Sequence, residues 1–331
     1  MENTTIAEIA KKLNVSTAMV SRVLRHCSGV DSEMRQRIFA EADRLPRPDY
    51  GECAVYTILP DVPRYFWHPL KQSVNDTLKR AGIPYKINIC TQAGDESTVL
   101  RYLDEAERLQ AKAIILASRI TVPIHQRLTE LADRRLLALV STNRDLDNTF
   151  YVGSNAYQDG AAMGRYYVQH FADRVLILFD LPDNFTAAQR LAGFLDTLRA
   201  ADPALADSAV HIKLDQQLFK NLKLLPSKLA SLIIDAAPRQ ERLCIYSPTG
   251  IPQFPLALVK AKLTEQVVCL CHDYYIKEKQ PSGNVALITC NQDCSQMGKL
   301  AAELASAFVT QGFYPEQKMN YISSAVHELT T

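Results

Sequence analysis

Up to residue 45 the apolar positions fall three and four apart, and beyond Ala54 they become short runs alternating with longer amphipathic stretches. Ile6, Ile9, Ala10 and Leu13 give a first helix one apolar face. Thr5 and Glu8 have the spacing of a reciprocal capping box at its start, and Asn14 tolerates the left-handed conformation of a sharp stop. Ser16 is a good N-cap for a second helix, whose Met19, Val20, Val23 and Leu24 pack back on the first. Thr17, Ala18, Ser21, Arg22 and Arg25 are left facing outward. A third helix, Ser32 to about Arg44, offers Ile38, Phe39, Ala42 and Leu45 to close a small core, and Pro46 and Pro48 end it. Residues 1–45 therefore read as an all-α headpiece and 46–53 as a short linker.

From residue 54 to 331 the pattern is α/β. Strands are expected at Ala54 to Leu59, Tyr85 to Cys90, Ala113 to Leu116 and Leu137 to Val140, with helices near Leu70 to Ala81, Ser97 to Leu109 and Ile124 to Asp133. After Tyr151-Val152 and a helix Ala156 to His170 the rhythm restarts. Arg174 to Phe179, Val210 to Leu214, Leu243 to Tyr246 and Val267 to Cys271 are its strands, with helices at Ala187 to Ala200 and after Pro255. Two such series imply two doubly wound parallel-sheet lobes.

Composition changes this picture little. At 331 residues and 47% apolar the chain can build full-sized cores, and its net charge of +1 places no general demand on partners. Residues 1–50 hold eight Lys/Arg against seven Asp/Glu, so affinity for nucleic acid has to come from where the charges sit. No apolar run reaches the length of a membrane span and no secretory signal is evident, so a cytoplasmic protein with no membrane partner is expected. The eight cysteines are scattered without a C-x-x-C pair and read as small buried residues; a site from Cys269, Cys271, Cys290, Cys294 and His272 fits no common zinc spacing. No metal or cofactor is expected.

Two short helices and a tight turn suit the major groove, where the second helix presents its N-terminal residues to base edges. Lys11, Lys12, Arg22 and Arg25 lie between residues 11 and 25 without an acid, a local charge suited to phosphates. An amphipathic helical hairpin with a solvated basic face has the same spacing. VSTAMVSRVL, followed by Val30, Asp31 and a helix with Met34, Arg35, Arg37 and Ile38, is more specific. It resembles the headpiece of the LacI/GalR family of bacterial repressors, with Met19 and Met34 in place of threonines and Asp31 in place of a serine. The resemblance implies double-stranded operator DNA as a partner. Arg22 would contact guanine, Thr17 and Ala18 would lie at neighbouring base edges, Ser21 and Arg25 at phosphates, and Thr5 and Ser16 at the same surface.

The core order is similar to the periplasmic-binding-protein fold of that family, whose chain crosses between lobes three times. Lobe one is expected at about 54–171 and 292–316, and lobe two at about 172–291 and 317–331, with Cys294 to Gln311 returning to the first and a last strand near Met319 to Ile322 in the second. The family's hinge helix is expected to be shortened or absent here, because Asp49 to Cys53 leads directly into the first strand.

Open parallel sheets bind ligands beyond the carboxyl ends of their strands. The loop after the first strand holds Asp61 and the aromatics Tyr65, Phe66 and Trp67, whose rings either stack on a sugar or base or form a rim buried against the second lobe or a dimer partner. AQRLAGF places Arg190, and LCHDY places Asp273, where the family clamps ligand hydroxyls; Asn143 in Asn143-Arg144-Asp145 has a similar strand-end place. An ion pair across an empty cleft is the alternative for Arg190 and Asp273. Ser247-Pro248 replaces the family's Asn-Asp, so its ligand does not carry over.

No G-x-S-x-G elbow, P-loop or G-x-G-x-x-G follows a strand, and no enzyme is expected. The expected function is transcription regulation, most simply repression. A homodimer through the core lobes would bind a near-palindromic operator and sense a small polar metabolite, a sugar or sugar derivative, between the lobes. The alternative is a binding module with a DNA headpiece but no ligand switching, acting as a constitutive binder or through a protein partner.

Overall fold

The computed structural model describes residues 2–24, 31–42, 53–61, 64–90, 96–118, 120–132, 136–140, 149–181, 184–214, 218, 221, 223–236, 242–251, 254–261, 267–274, 285–312 and 317–329. Three helices open the chain: α1 (Glu2–Leu13), α2 (Thr17–Leu24) and α3 (Ser32–Ala42). α1 starts three residues before Thr5, which corrects the capping-box expectation. Glu2 and the polar residues behind it extend the helix, since such a pair marks a permitted start and not an obligatory one. Asn14 takes φ 55° in the turn. Ile9, Ala10, Val20, Val23 and Ile38 form the small core, with Leu13, Val15, Met19 and Met34 against it.

The first series runs β1 (Val55–Pro60), α4 (Arg64–Ala81), β2 (Tyr85–Cys90), α5 (Glu96–Arg108), β3 (Ala113–Leu116), α6 (Val122–Ala132), β4 (Leu136–Val140) and β5 (Thr149–Gly153). The second runs α7 (Ala156–His170), β6 (Val175–Asp180), α8 (Phe185–Ala201), α9 (Pro203–Asp207), β7 (Val210–Lys213), α10 (Leu225–Ala236), β8 (Leu243–Tyr246), α11 (Phe254–Ala261), β9 (Val267–His272) and β10 (Val285–Asn291). The long α12 (Cys294–Gln311) and short β11 (Met319–Tyr321) and β12 (Ala325–Leu329) end the described chain.

Two six-stranded sheets result, ordered β11-β5-β4-β3-β1-β2 and β12-β10-β9-β8-β6-β7. β1 to β5 pair in parallel, as do β6 to β10, whereas β12 runs antiparallel to β10. Order reverses at β1/β3 and at β6/β8, the switch points beyond which such sheets hold ligands. Successive residues of the second sheet feed opposite layers: Leu176, Leu178, Val268 and Leu270 on the α7–α8 side, and Ile177, Phe179, Cys269 and Cys271 on the α10–α11 side.

The chain divides into two compact units, Met1–Val152 with Cys294–Asn320, and Gly153–Asp293 with Tyr321–Thr331. Two expectations need correcting. The strand at Met319–Tyr321 belongs to the first sheet, and the second unit is closed by β12. α7 belongs to the second unit, well before the expected boundary at residue 171, because it is locked to α8. A Cβ at Gly160 would stand 1.8 Å from the Arg190 carbonyl oxygen, and one at Gly193 would stand 2.0 Å from that of Tyr157. Only glycines allow backbones this close.

Candidate functional site

In the headpiece, the starts of α2 and α3 are capped as the sequence implies. Ser16 Oγ accepts from the Met19 amide at 3.1 Å, and Asp31 Oδ2 accepts from the amides of Glu33 and Met34 at 3.0 and 3.1 Å. These caps satisfy first-turn donors that the helix itself leaves free. Lys12 reaches across to the buried Glu41, pinning α1 to α3. With Val20 and Val23 fully buried, Thr17 and Ala18 stand exposed at the start of α2. Ser21 and Arg22 follow on the same helix, but their side chains, that of Thr5, and the whole of Arg25 and Asn143 lie outside the described residues.

At the first sheet's switch point, Asp61 follows β1 and lies half-buried, its Oδ1 3.7 Å from Lys71 Nζ. Tyr65, Phe66 and Trp67 form the first turn of α4 and not a loop, which corrects the expectation. The helix expected from Leu70 starts at Arg64 and carries Pro69 inside it, where the missing N–H gives up one main-chain hydrogen bond. Phe66 is buried, and its ring meets that of Trp67 edge-on at 4.7 Å.

The second unit holds a buried ionic cluster. Arg190 on α8, only 2% exposed, donates from Nη2 to Asp273 Oδ2 at 2.7 Å and from Nη1 to the Pro248 carbonyl at 3.2 Å. Its Nη2 also lies 3.9 Å from Asp159 Oδ2 on α7. Arg190 and Asp273 are therefore brought together inside one unit, which corrects the picture of a pair spanning a cleft. Asp273 has φ 54°, and this left-handed turn after β9 lets both its oxygens work: Oδ1 accepts from the Gln292 amide at 3.2 Å and Oδ2 from Gln292 Nε2 at 2.9 Å.

Burial pulls the Arg190 guanidinium down, but the carboxylates of Asp273 and Asp159 outweigh it, and the net shift is upward. Burial raises the Asp159 carboxyl against the opposing pull of Ser154, which donates to its Oδ2 at 2.5 Å, and of Arg190. Beside the cluster, Tyr246 stacks on Phe194 with centroids 3.9 Å apart, and its hydroxyl meets His272 Nε2 at 3.0 Å. Burial drives His272 well below its ordinary value of 6.5, with Arg190 adding to the effect. Its Nδ1 and the Arg190 Nε are buried without a hydrogen-bond partner. Buried orphans of this kind cost about 1 to 3 kcal/mol each unless a water or ligand atom meets them.

Sequence reasoning named Arg190 and Asp273 but missed Asp159 and Gln292. Asp159 sits in the first turn of α7, where an acid ordinarily complements the helix dipole, so nothing marked it as a buried partner of Arg190. Gln292 just past β10 was legible only as a strand-end polar residue. The seven described cysteines are buried and unbridged, and burial raises the thiols of Cys53, Cys244, Cys269, Cys271 and Cys290. No described helix is long and apolar enough to cross a membrane.

Residues 5–45 match the family model for bacterial regulatory proteins, lacI family. No curated protein matches the chain. Among solved structures, a LacI-family transcriptional regulator from Silicibacter pomeroyi is similar over 98% of this chain and 97% of its own, with TM-score 0.63 and 14% identity. Transcription regulator CcpA of Lactococcus lactis is similar over 83% of this chain and 97% of its own (TM-score 0.62, 13% identity). GanP, a glucose-galactose binding protein from Geobacillus stearothermophilus, covers 84% of this chain and 98% of its own (TM-score 0.66, 14% identity). At these identities the likeness establishes the fold: a helical headpiece on a periplasmic-binding-protein-like core.

Proposed function

We propose that the chain is a transcription regulator of the LacI/GalR type, a repressor that binds a near-palindromic operator as a homodimer and senses a small polar metabolite in its core. The observation that carries this reading is the lacI-type headpiece, with capped helices and Thr17 and Ala18 exposed at the start of α2, joined to a sugar-binding-protein-like core. Arg22, Thr17 and Ala18 read bases, Ser21 and Arg25 hold phosphates, and Thr5 and Ser16 lie beside them. Two-fold symmetry of the dimer requires two inverted half-sites, about 10 base pairs or a multiple apart.

For the effector, Asp61, Tyr65, Phe66, Trp67 and Asn143 in the first unit and Arg190 and Asp273 in the second are the proposed contacts. A hydroxyl-rich ligand suits this set, since each hydroxyl can donate to Asp273 and accept from Arg190. The likeness to GanP supports a sugar or sugar derivative. The core performs no chemistry in this reading, and the protein works in the cytoplasm.

A second reading is favoured by one observation: Arg190 and Asp273 already satisfy each other within one unit at 2.7 Å. In that case the headpiece binds DNA constitutively or answers to a protein partner. Selection from a random DNA library by the full chain tests the shared claim. An enriched inverted repeat supports both readings, and no enrichment above the starting pool refutes both. Operator affinity measured across a panel of sugars, sugar phosphates and nucleosides then separates them, because a coupled effector shifts affinity by about 5-fold or more.

A further inference from the structure

The chain passes between its two units three times, after Val152, after Asp293 and after Asn320. Within the second unit, the residues flanking the first two crossings meet one ionic cluster, and the third crossing is tied to the first. At the first, Ser154 donates its hydroxyl to Asp159 Oδ2 at 2.5 Å. At the second, Gln292 gives Asp273 both its amide, at 3.2 Å, and its side-chain Nε2, at 2.9 Å. Asn291 beside it exchanges hydrogen bonds with the main chain of Tyr274, at 3.0 and 3.2 Å. The Ile322 amide donates to the Gly153 carbonyl at 2.8 Å and ties the third crossing to the first.

One cation joins these two carboxylates. Arg190 Nη2 stands 2.7 Å from Asp273 and 3.9 Å from Asp159, and the guanidinium is wholly buried. A buried cation between two carboxylates is held in place strongly, because losing either sign strands the other away from water. The close approach of α7 and α8 at Gly160 and Gly193 fixes the two helices that carry Asp159 and Arg190.

We propose that Asp159, Arg190 and Asp273 form an ionic clasp that holds the first two crossing segments to the second unit and, through the Gly153–Ile322 main-chain bond, the third, with Asp159 as the positioning residue for the first and so for the third. An effector group that engages Asp273 or Arg190 then changes how firmly the crossings are held; this last step rests on the ligand-sensing reading, whereas the clasp itself does not.

Hydrogen exchange on the full chain tests it, with the amides of Ile322, Gln292 and Tyr274 as reporters and α5 as the internal control. Arg190→Met is expected to speed exchange by about tenfold or more at all three reporters while α5 stays unchanged. Asp159→Asn keeps the shape and removes one charge, and is expected to act on Ile322 more than on Gln292. A clasp is overturned if Arg190→Met accelerates Gln292 and Tyr274 but leaves Ile322 within about twofold of the parent. Should that variant fail to fold, an unchanged Ile322 in Asp159→Asn overturns it equally. A uniform rise that includes α5 would mean general destabilisation and also counts against it. Operator binding by the unaltered chain is a separate measurement: its failure would refute the regulator reading and leave the exchange pattern standing.

Discussion

His272 offers a quantitative test of the second unit's interior. It is fully buried at the end of β9, with Nε2 against the Tyr246 hydroxyl and Nδ1 unpartnered, and burial holds it neutral far below its ordinary value of 6.5. The unfolded chain takes up a proton at this residue as the pH falls through that value, and the folded chain does not. Folding stability contributed here is therefore present above the unfolded value and is lost as the medium becomes acid. Between about pH 7.5 and about pH 5.5 the loss is on the order of 1 kcal/mol from this one group. Asp159 works in the opposite sense, because burial raises its carboxyl and the folded chain gains a proton before the unfolded one does. The comparison must therefore be against a variant that alters His272 alone. His272→Gln keeps a polar group near Tyr246 and does not titrate. Urea unfolding followed by circular dichroism at both pH values should show the parent losing more stability than the variant, by an amount on the order of 1 kcal/mol. Equal losses would refute the reasoning, since they would mean that His272 titrates equally in both states.

Other consequences are more local. Gly160→Ala puts a methyl 1.8 Å from a backbone oxygen, so α7 and α8 must separate; a loss of about 3 kcal/mol or more in urea unfolding is expected, and a neutral result would refute the close approach. Ser16→Ala removes the cap of α2 and should cost the headpiece about 1 kcal/mol, read as earlier loss of helical signal, with the core's unfolding transition unmoved. Val20→Ala opens a fully buried position in a core of few side chains, and DNA binding should weaken at a temperature where the parent still binds, with the core again unaffected.

Much of the fold is legible in the sequence where periodicity is unopposed. The helix Ala156–His170 and the strand Leu243–Tyr246 have the expected bounds, because an apolar stripe or run ends at a polar or glycine-bearing turn in each case. Legibility fails where tertiary context decides. β12 at a sheet edge has mostly exposed residues and none fully buried, a pattern too polar to stand out beside the buried runs. α10 was missed because Leu225, Leu229 and Ile233 follow a lysine- and leucine-rich stretch without a clear boundary. α4 begins at Arg64, ahead of the expected Leu70. For the candidate site, Arg190 and Asp273 were named from motif likeness, but their mutual pairing was not, since residues 83 apart in sequence meet only through the packing of α8 on the second sheet. Asp159 was invisible for the same reason: its role depends on the glycine contact that brings α7 against α8.

The central claim is that α2 reads DNA sequence, and Arg22 tests it most directly. Affinity of the full chain for its selected inverted repeat and for random duplex of equal length should be measured at one fixed salt concentration by fluorescence anisotropy, for the parent and for Arg22→Ala. The account predicts a loss of about 1 to 3 kcal/mol on the selected site with little change on random duplex, so that the ratio of the two affinities collapses. Equal losses on both duplexes would reduce Arg22 to a phosphate contact. A parent that binds the two equally well would contradict the claim itself.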